Sequence, residues 1–545
     1  MKEEKSSARS SSHFASQNKE DTMEDNRGNV SDYGTINSAR NGQQANSTKI
    51  QIQAEQQQAD EHRLFMRGKY AFFGGATALY ALFYTFCLYQ NSSGITYPFF
   101  VAGTLVYFYL CTIKSGVPWK RGSRFYLVSI ILLGISVFLT DNGYINGITG
   151  VGIVLLFVSL MIHQYLDDSK WNFSKYLSAM GQMLIETIGS LGHPVSDGNA
   201  WFKDQETTGK LGKGRYVILG ILILIPLLLV ILALLVSADA VFMDLFRRFF
   251  EHIDIWDCIG IPTMAVCVFF VFYAFVAMLN KRVIREECEE KRNQEPVLAI
   301  TFTSVLALVY MVFCGIQIIY LFMGQGGLPE GYTYASYARQ GFFQLLAVCI
   351  INLLIVLICL AFFRENIVLK VILTVISLCT YVMVASSAYR MILYIQEKHL
   401  TFLRFLVLWG LIVTALLLAG IVASIFRTGF ALFRYVTVVV TVCYIALAFV
   451  RPDYCIAKYN MSFVDVTAER VEGETSYDDY RYLARLSADA APLLAKEENY
   501  KFLWERSDRM KSYYSEIEEK AAGCGVRTFN LSRYMAGKAL EQAKE

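Results

Sequence analysis

Between residues 70 and 450 the chain carries eleven apolar stretches, each close to the 20 or so residues an α-helix needs to cross a bilayer's hydrocarbon core. They run roughly over 70–90, 96–113, 124–140, 144–166, 216–237, 258–280, 298–323, 341–363, 367–394, 402–426 and 431–450. In hydrocarbon every backbone N–H and C=O must find its partner within the chain, so such a series is compatible with a helical bundle and little else. Only Asp141-Asn142-Gly143 separates the third run from the fourth, which reads as a tight helical hairpin. Two further stretches read as amphipathic helices in the headgroup plane. In 171–191, Trp171, Phe173, Leu177, Met180, Leu184 and Ile188 recur at helical spacing; in 240–256, Val241, Phe242, Leu245, Phe249 and Ile253 oppose Asp244, Arg247, Arg248 and Glu251. Composition agrees, with 54% hydrophobic and 18% charged residues against about 25% charged in soluble domains. The fold expected is all-α and polytopic, with about eleven transmembrane helices, two interfacial amphipathic helices and a small helical C-terminal domain.

The ends differ from the middle. Residues 1–62 are rich in Ser, Gln, Asn and Glu, bury too little apolar surface to offset chain entropy, and read as a disordered polar tail. Residues 63–450 make the multi-span domain. Residues 451–545 hold 15 Lys+Arg and 17 Asp+Glu and read as a soluble helical tail. There Leu503, Met510, Tyr514 and Ile517 form one stripe, Ser487 is placed to cap the helix after it, and Gly523–Gly525 precedes a last helix near 530–543. The N-terminal flank and one set of loops carry 22 Lys and Arg and the alternate set 6. The excess of basic residues on cytoplasmic loops then puts the N-terminus inside and, after eleven spans, the tail outside. No cleavable signal peptide is expected, because the first 69 residues are hydrophilic. A net charge of +3 is too balanced for a nucleic-acid binder.

Sequence signatures of chemistry are few. The twelve cysteines form no CxxC pair, and most lie inside apolar runs, where cysteine acts as a small hydrophobe. Gly147-x-x-Gly150-x-Gly152 falls within a span and suits close helix packing better than nucleotide binding. Thr208-Gly209-Lys210-x-Gly212-Lys213-Gly214 lacks the spacing of a phosphate loop and reads as the basic flank of the fifth span. His163 and Asp167, at i and i+4, could face one metal, but no third ligand is near, so neither a metal site nor a cofactor is expected. No Ser-His-Asp order, HExxH or DxD is present. More informative is a polar set at one membrane face. On the eighth span Tyr337, Gln340, Gln344 and Asn352 share one side, and on the ninth so do Ser386, Arg390, Tyr394 and Glu397, while Arg404 opens the tenth. Charged groups within spans mark helix-to-helix bonding or a ligand or ion site.

Several blocks carry a resemblance. They are Ser237-Ala238-Asp239-Ala240-Val241-Phe242, Tyr337-Ala338-Arg339-Gln340-Gly341-Phe342-Phe343, Arg390-Met391-Ile392-Leu393-Tyr394-Ile395 and Leu400-Thr401-Phe402-Leu403-Arg404. After the last span come Pro452-Asp453, Ala457-Lys458-Tyr459-Asn460 and Leu486-Ser487-Ala488-Asp489-Ala490-Ala491-Pro492. In these the chain resembles bacterial integral membrane proteins of unknown-function family 4173 and the related family 4153. It departs from that pattern at Lys398-His399, where Tyr-Gly is usual, and at Arg451, where Asn is usual. The resemblance implies a bacterial plasma membrane and no particular activity. Placed on the expected topology, the blocks gather at the outer face, where Asp239 and Glu397 are natural counter-charges for Arg339, Arg390 and Arg404. The leading functional expectation is a non-enzymatic sensing, scaffolding or regulatory component. Its partners would be the bilayer and a protein or small ligand held at the outer face by Asp239, Tyr337, Arg339, Gln340, Gln344, Arg390, Tyr394, Glu397 and Arg404. A solute transporter and a membrane transferase on a lipid-linked substrate are the alternatives.

Overall fold

A computed structural model of the chain describes residues 64–168, 171–207, 255–281, 293–319, 334–427, 429–464 and 477–545, with isolated positions between 224 and 284. The tail 1–62 lies outside these residues, and the fifth apolar run and the amphipathic stretch 240–256 lie almost entirely outside them. The chain divides into a small unit, 1–68 with Asn280–Val283, and a large unit that contains the bundle.

Six helices make the first part: α1 (Tyr70–Leu88), α2 (Thr96–Lys114), α3 (Ser123–Leu139), α4 (Gly143–Tyr165), α5 (Phe173–Gly189) and α6 (His193–Thr207). Then come α7 (Ile255–Lys281), α8 (Pro296–Gln317), α9 (Tyr334–Phe362), α10 (Ile367–Lys398), α11 (Phe402–Phe426) and α12 (Leu432–Val450). Among the described residues nine helices are long and apolar enough to cross a membrane, and α3, at 17 residues, is a shorter apolar one. The protein is an all-α polytopic membrane protein. Large apolar side chains such as Leu79, Val151, Val305 and Ile412 stand exposed on the spanning helices, where lipid rather than water is the natural solvent.

Asparagine starts three of these helices. Asn142 Oδ1 accepts the Ile145 N–H at 3.0 Å and opens α4, Asn172 accepts from Lys175 at 2.9 Å and opens α5, and Asn366 accepts from Val368 at 2.8 Å and opens α10. The Asp141-Asn142-Gly143 break is therefore the hairpin expected. At the far end of α4, Lys120 Nζ donates to the carbonyls of His163 and Leu166, both at 2.7 Å, a cation placed on the last turn of a helix.

α10 is the hub. It packs on α8, α9 and α11, while α12 joins α11 to α3. At 32 residues it is about 48 Å long, against roughly 30 Å of hydrocarbon, so its last turns stand near or beyond the apolar layer. Close approach is set by Gly134, where a Cβ would lie 3.0 Å from Val101, and by Gly420, where it would lie 2.1 Å from Tyr435. The Gly147, Gly150 and Gly152 series does not do this. A Cβ at Gly147 meets nothing within 4 Å, and at the other two only contacts at 3.9 Å.

On α5 the buried side is Tyr176, Ala179 and Met183, and the expected apolar positions Leu177, Leu184 and Ile188 point away from the protein. The tail holds α13 (Pro452–Met461), α14 (Tyr477–Leu483), α15 (Ala491–Leu494), α16 (Glu497–Arg506), α17 (Asp508–Ala522) and α18 (Leu531–Lys544). Its stripe Leu503, Met510, Tyr514 and Ile517 is fully buried, in an apolar cluster that continues into α9, α10 and α11.

Candidate functional site

Arg390 and Glu397, the charged residues expected on the polar side of the ninth span, sit in the last turns of α10. Arg390 is only 6% exposed, and its Nη2 donates to Gln317 Oε1 at 3.1 Å, at the end of α8. One turn earlier Ser386 Oγ donates to the same oxygen at 2.7 Å. α10 ends at His399, with φ 59° and ψ 174°, and after two residues α11 begins. Arg404, in its first turn, folds back onto α10. Its Nη1 donates to the carbonyls of Lys398 and His399, and its guanidinium lies 4.2 Å from the centre of the Tyr394 ring. Arg390, Tyr394, Thr401 and Arg404 line one cavity of about 300 Å³, together with apolar side chains that include Phe342, Met391 and Val407.

The tail grips the turn that makes this cavity. Asn460 brackets Leu400, with Oδ1 accepting its N–H at 2.9 Å and Nδ2 donating to its carbonyl at 3.0 Å. Tyr482 Oη accepts the Phe402 N–H at 2.7 Å. The same end of the bundle is held at three further points. Buried Asp453 accepts from Asn142 Nδ2 at 2.9 Å and from the Ser487 N–H at 3.0 Å. Buried Asp489 accepts from the Thr140 hydroxyl and from the Asp141 N–H. Asn530 Nδ2 faces the carbonyls of Ser93 at 2.9 Å, Thr140 at 3.2 Å and Val137 at 3.4 Å, while its Oδ1 caps α18. Two arginines complete the clamp: Arg527 donates to the Phe86 and Tyr89 carbonyls, and Arg533 Nε lies 2.6 Å from Asp141 Oδ1. Burial, together with the neighbouring Asp453 carboxylate, pushes Asp489 above the usual carboxylate range despite its hydrogen bonds. Ser487 does not cap the following turn with its side chain; its backbone serves instead, donating to Asp453 and accepting from Tyr513 Oη.

At the opposite end, His163 pairs with Asp168 rather than Asp167. Its Nδ1 lies 3.0 Å from each Asp168 oxygen, and Tyr176 Oη and Arg434 Nη2 reach the same carboxylate at 2.5 and 3.0 Å. Burial raises the Asp168 pKa, but the bonds from His163 and Tyr176 and the charge of Arg434 outweigh it and hold the carboxyl below its ordinary range. This is an ion-paired anchor for α5. Among the described residues no group of three His, Cys, Asp or Glu is arranged to hold a metal.

Of the nine residues expected at the outer site, the structure brings together Arg390, Tyr394 and Arg404. Gln344, Glu397 and Asp239 are exposed, and the side chains of Tyr337, Arg339 and Gln340 lie outside the described residues. Among the described residues no ion pair joins Glu397 to Arg390 or Arg404: Arg390 donates to an amide oxygen, and Arg404 contacts a ring and two carbonyls. Asn352 is buried lower on α9 and donates to Thr380 at 2.9 Å. Sequence reasoning missed the tail anchors Asn460, Tyr482, Asn530 and Asp489. The resemblance blocks around Ala457–Asn460 and Leu486–Pro492 were the signal that could have found two of them.

No curated protein and no solved structure matches the chain. Of the two related families resembled in sequence, the match is to 4153. It covers residues 127–497, from the third span through the first turns of the tail that grip the cavity's hairpin. With more than half of its length matched, the chain belongs to the family described as a domain of unknown function, DUF4153.

Proposed function

We propose that the protein is a non-enzymatic sensing or regulatory component of the bacterial plasma membrane, with a cytoplasmic N-terminus and a ligand-binding vestibule at the outer face. The observation that carries this reading is the shared hairpin. The α10–α11 turn forms the cavity between Arg390, Tyr394 and Arg404, and the same turn is held by Asn460 and Tyr482 of the tail. A ligand that moves Arg404 would move the carbonyls of Lys398 and His399 and hence the tail's grip one residue away. The loops at this end belong to the set poor in Lys and Arg, which supports an outer location. Transport receives less support, because described polar groups within α8, α9 and α10 bond to one another, Asn352 to Thr380 and Ser386 to Gln317.

The test is topology first. Reporter fusions after Lys291 are expected to read cytoplasmic, and those after Gly331 or at the C-terminus external; the opposite pattern overturns the reading. Single cysteines placed on α18 are then expected to change their labelling rate when Arg404 is replaced, and an unchanged rate would separate cavity from tail.

A further inference from the structure

One segment of the tail differs in composition from the domain around it. Residues 451–545 hold 17 Asp and Glu, yet none occurs between Glu519 and Glu541. The turn from α17 to α18 lies in this stretch. Thr528 Oγ1 accepts the Gly525 N–H at 2.9 Å, which closes a tight turn with Val526 and Arg527 at its tip. Val526 is 93% exposed, more than any other large apolar side chain among the described residues. A lone surface valine is ordinary; the place where this one is held is not.

The turn is fixed to the end of a spanning helix. Arg527 Nη1 donates to the carbonyls of Phe86 at 3.1 Å and Tyr89 at 2.6 Å, at the C-terminus of α1. Asn91 Nδ2 donates in turn to the Arg527 carbonyl at 3.1 Å. With 19 residues, α1 is about 29 Å long, and the hydrocarbon it crosses is about 30 Å thick. Its ends therefore stand at the edge of the apolar layer, and a group bonded to its last carbonyls stands there too. The lipid-facing side of α1 runs to the same point, because Leu79, Leu82 and Phe86 recur at helical spacing and are all exposed.

A second contact repeats this placement. Phe529 lies 6.1 Å from Phe138, in the last turn of α3, and 5.5 Å from Tyr534 of α18, which is exposed. These rings continue from the end of α3 onto the tail. At 17 residues, α3 is only about 26 Å long, so the rings beyond it lie where a full-thickness layer of about 30 Å would still meet protein. Tyrosine at headgroup level and an arginine reaching along a helix end are the side chains favoured at this depth. A carboxylate there would be costly to desolvate, and the segment has none.

We propose that the α17–α18 turn anchors the tail in the bilayer, with Val526 among the acyl chains at the end of α1 and Tyr534 at the headgroup level of the same leaflet. The occupant of this surface is lipid because the surface continues the lipid-facing side of α1. The anchor does not depend on which side of the membrane the tail occupies, so it stands or falls apart from the vestibule reading.

The full-length protein would carry a photoreactive benzoylphenylalanine in place of Val526, Phe86 or Asp508. It would be reconstituted in vesicles of phosphatidylcholine and phosphatidylglycerol, illuminated, and its adducts read by mass spectrometry. Phe86 is the lipid-facing reference. Asp508, with a side chain 93% exposed, is the water-facing one, at the far end of the 15-residue α17. Lipid adducts at 526 are expected at about the yield found at 86 and at least about tenfold above that at 508. Arg527→Ala should lower the 526 yield several-fold and leave the 86 yield unchanged. Adducts at 86 without adducts at 526 would put the turn in water and overturn the proposal. Equal yields at 526 and 508 would mean that the whole tail lies on the bilayer, and protein adducts at 526 would put a second chain there; either result also overturns it.

Discussion

Asn530→Ala is expected to release the tail from the bundle while leaving the bundle folded. The wild-type side chain is fully buried and serves two structures at once. Its Oδ1 accepts the N–H groups of Ser532 at 3.0 Å and Arg533 at 3.3 Å, which caps α18. Its Nδ2 faces three carbonyls, of Ser93 in the α1–α2 loop and of Val137 and Thr140 at the end of α3. Losing the cap costs about 1 kcal/mol. The two shorter carbonyl contacts add about 0.5–1.5 kcal/mol each, and the carbonyls left behind are buried and dry. A docking penalty of about 2–4 kcal/mol follows, or roughly 30-fold to 1,000-fold in the docked population. Hydrogen exchange across residues 508–544 in detergent reads this directly, with exchange in α2 and α3 as the internal control. Asn530→Asp separates the two roles, because it keeps the capping oxygen but replaces the donor with a second acceptor. It should retain protection within α18 and lose docking as fully as the alanine variant. A change below about 0.5 kcal/mol in both variants, the usual scale for an ordinary surface position, would refute the clamp.

His399→Gly should raise thermal stability by about 1 kcal/mol, since φ 59° with ψ 174° is a region essentially reserved for glycine; an unchanged or lower melting temperature would show that the turn is unstrained. Gly147→Ala, whose Cβ meets nothing, should be neutral or slightly stabilising, whereas Gly420→Ala, whose Cβ would fall 2.1 Å from Tyr435, should lower the melting temperature. The raised Asp489 pKa means that folding takes up a proton there. Its contribution to tail docking should therefore grow as pH falls through its raised folded value, level off below the ordinary carboxylate value, and vanish in Asp489→Asn; tail exchange measured from pH 7 down to pH 4 checks the sign. Asp168 should act in the opposite sense, because its stabilisation is complete above the ordinary carboxylate value and is lost as pH falls through its depressed folded one.

The spans were legible in the sequence because an apolar run of that length has one stable form in lipid. Which side of a helix meets protein was not. On α5 the apolar period marks Leu177, Leu184 and Ile188 as a lipid-facing side, and they are exposed; it does not reveal that Tyr176, Ala179 and Met183 form the side packed on protein. Lipid and protein interior are both apolar, so hydropathy cannot distinguish a face that packs from one that is solvated by chains. The Gly147 series misled for the same reason: small residues permit close approach without requiring it, and here the close contacts fall at Gly134 and Gly420.

Arg390, Tyr394 and Arg404 were legible because a cation in an apolar run is costly and therefore conspicuous. Their partners were not, since a guanidinium is satisfied by an amide, carbonyls or a ring as well as by a carboxylate. The tail anchors stayed hidden because Asn460 and Asn530 stand in polar sequence and look like surface. Two turns show what the anchors do. His399 and Arg451 are two of the three non-glycine residues with positive φ among those described, with values of 59° and 53°. Glycine and asparagine are the types that take such backbone most readily. Histidine and arginine prefer other conformations, so these turns must be held from outside. Asn460 bonding both backbone groups of Leu400 does this for the first, and the α13 helix opening at Pro452, with Asp453 bound to Asn142, does it for the second. Both holds belong to the tail. The conformation of the cavity's hairpin in this chain therefore depends on tail docking more than it would with glycine at 399, and loosening the tail should loosen the grip on Arg404.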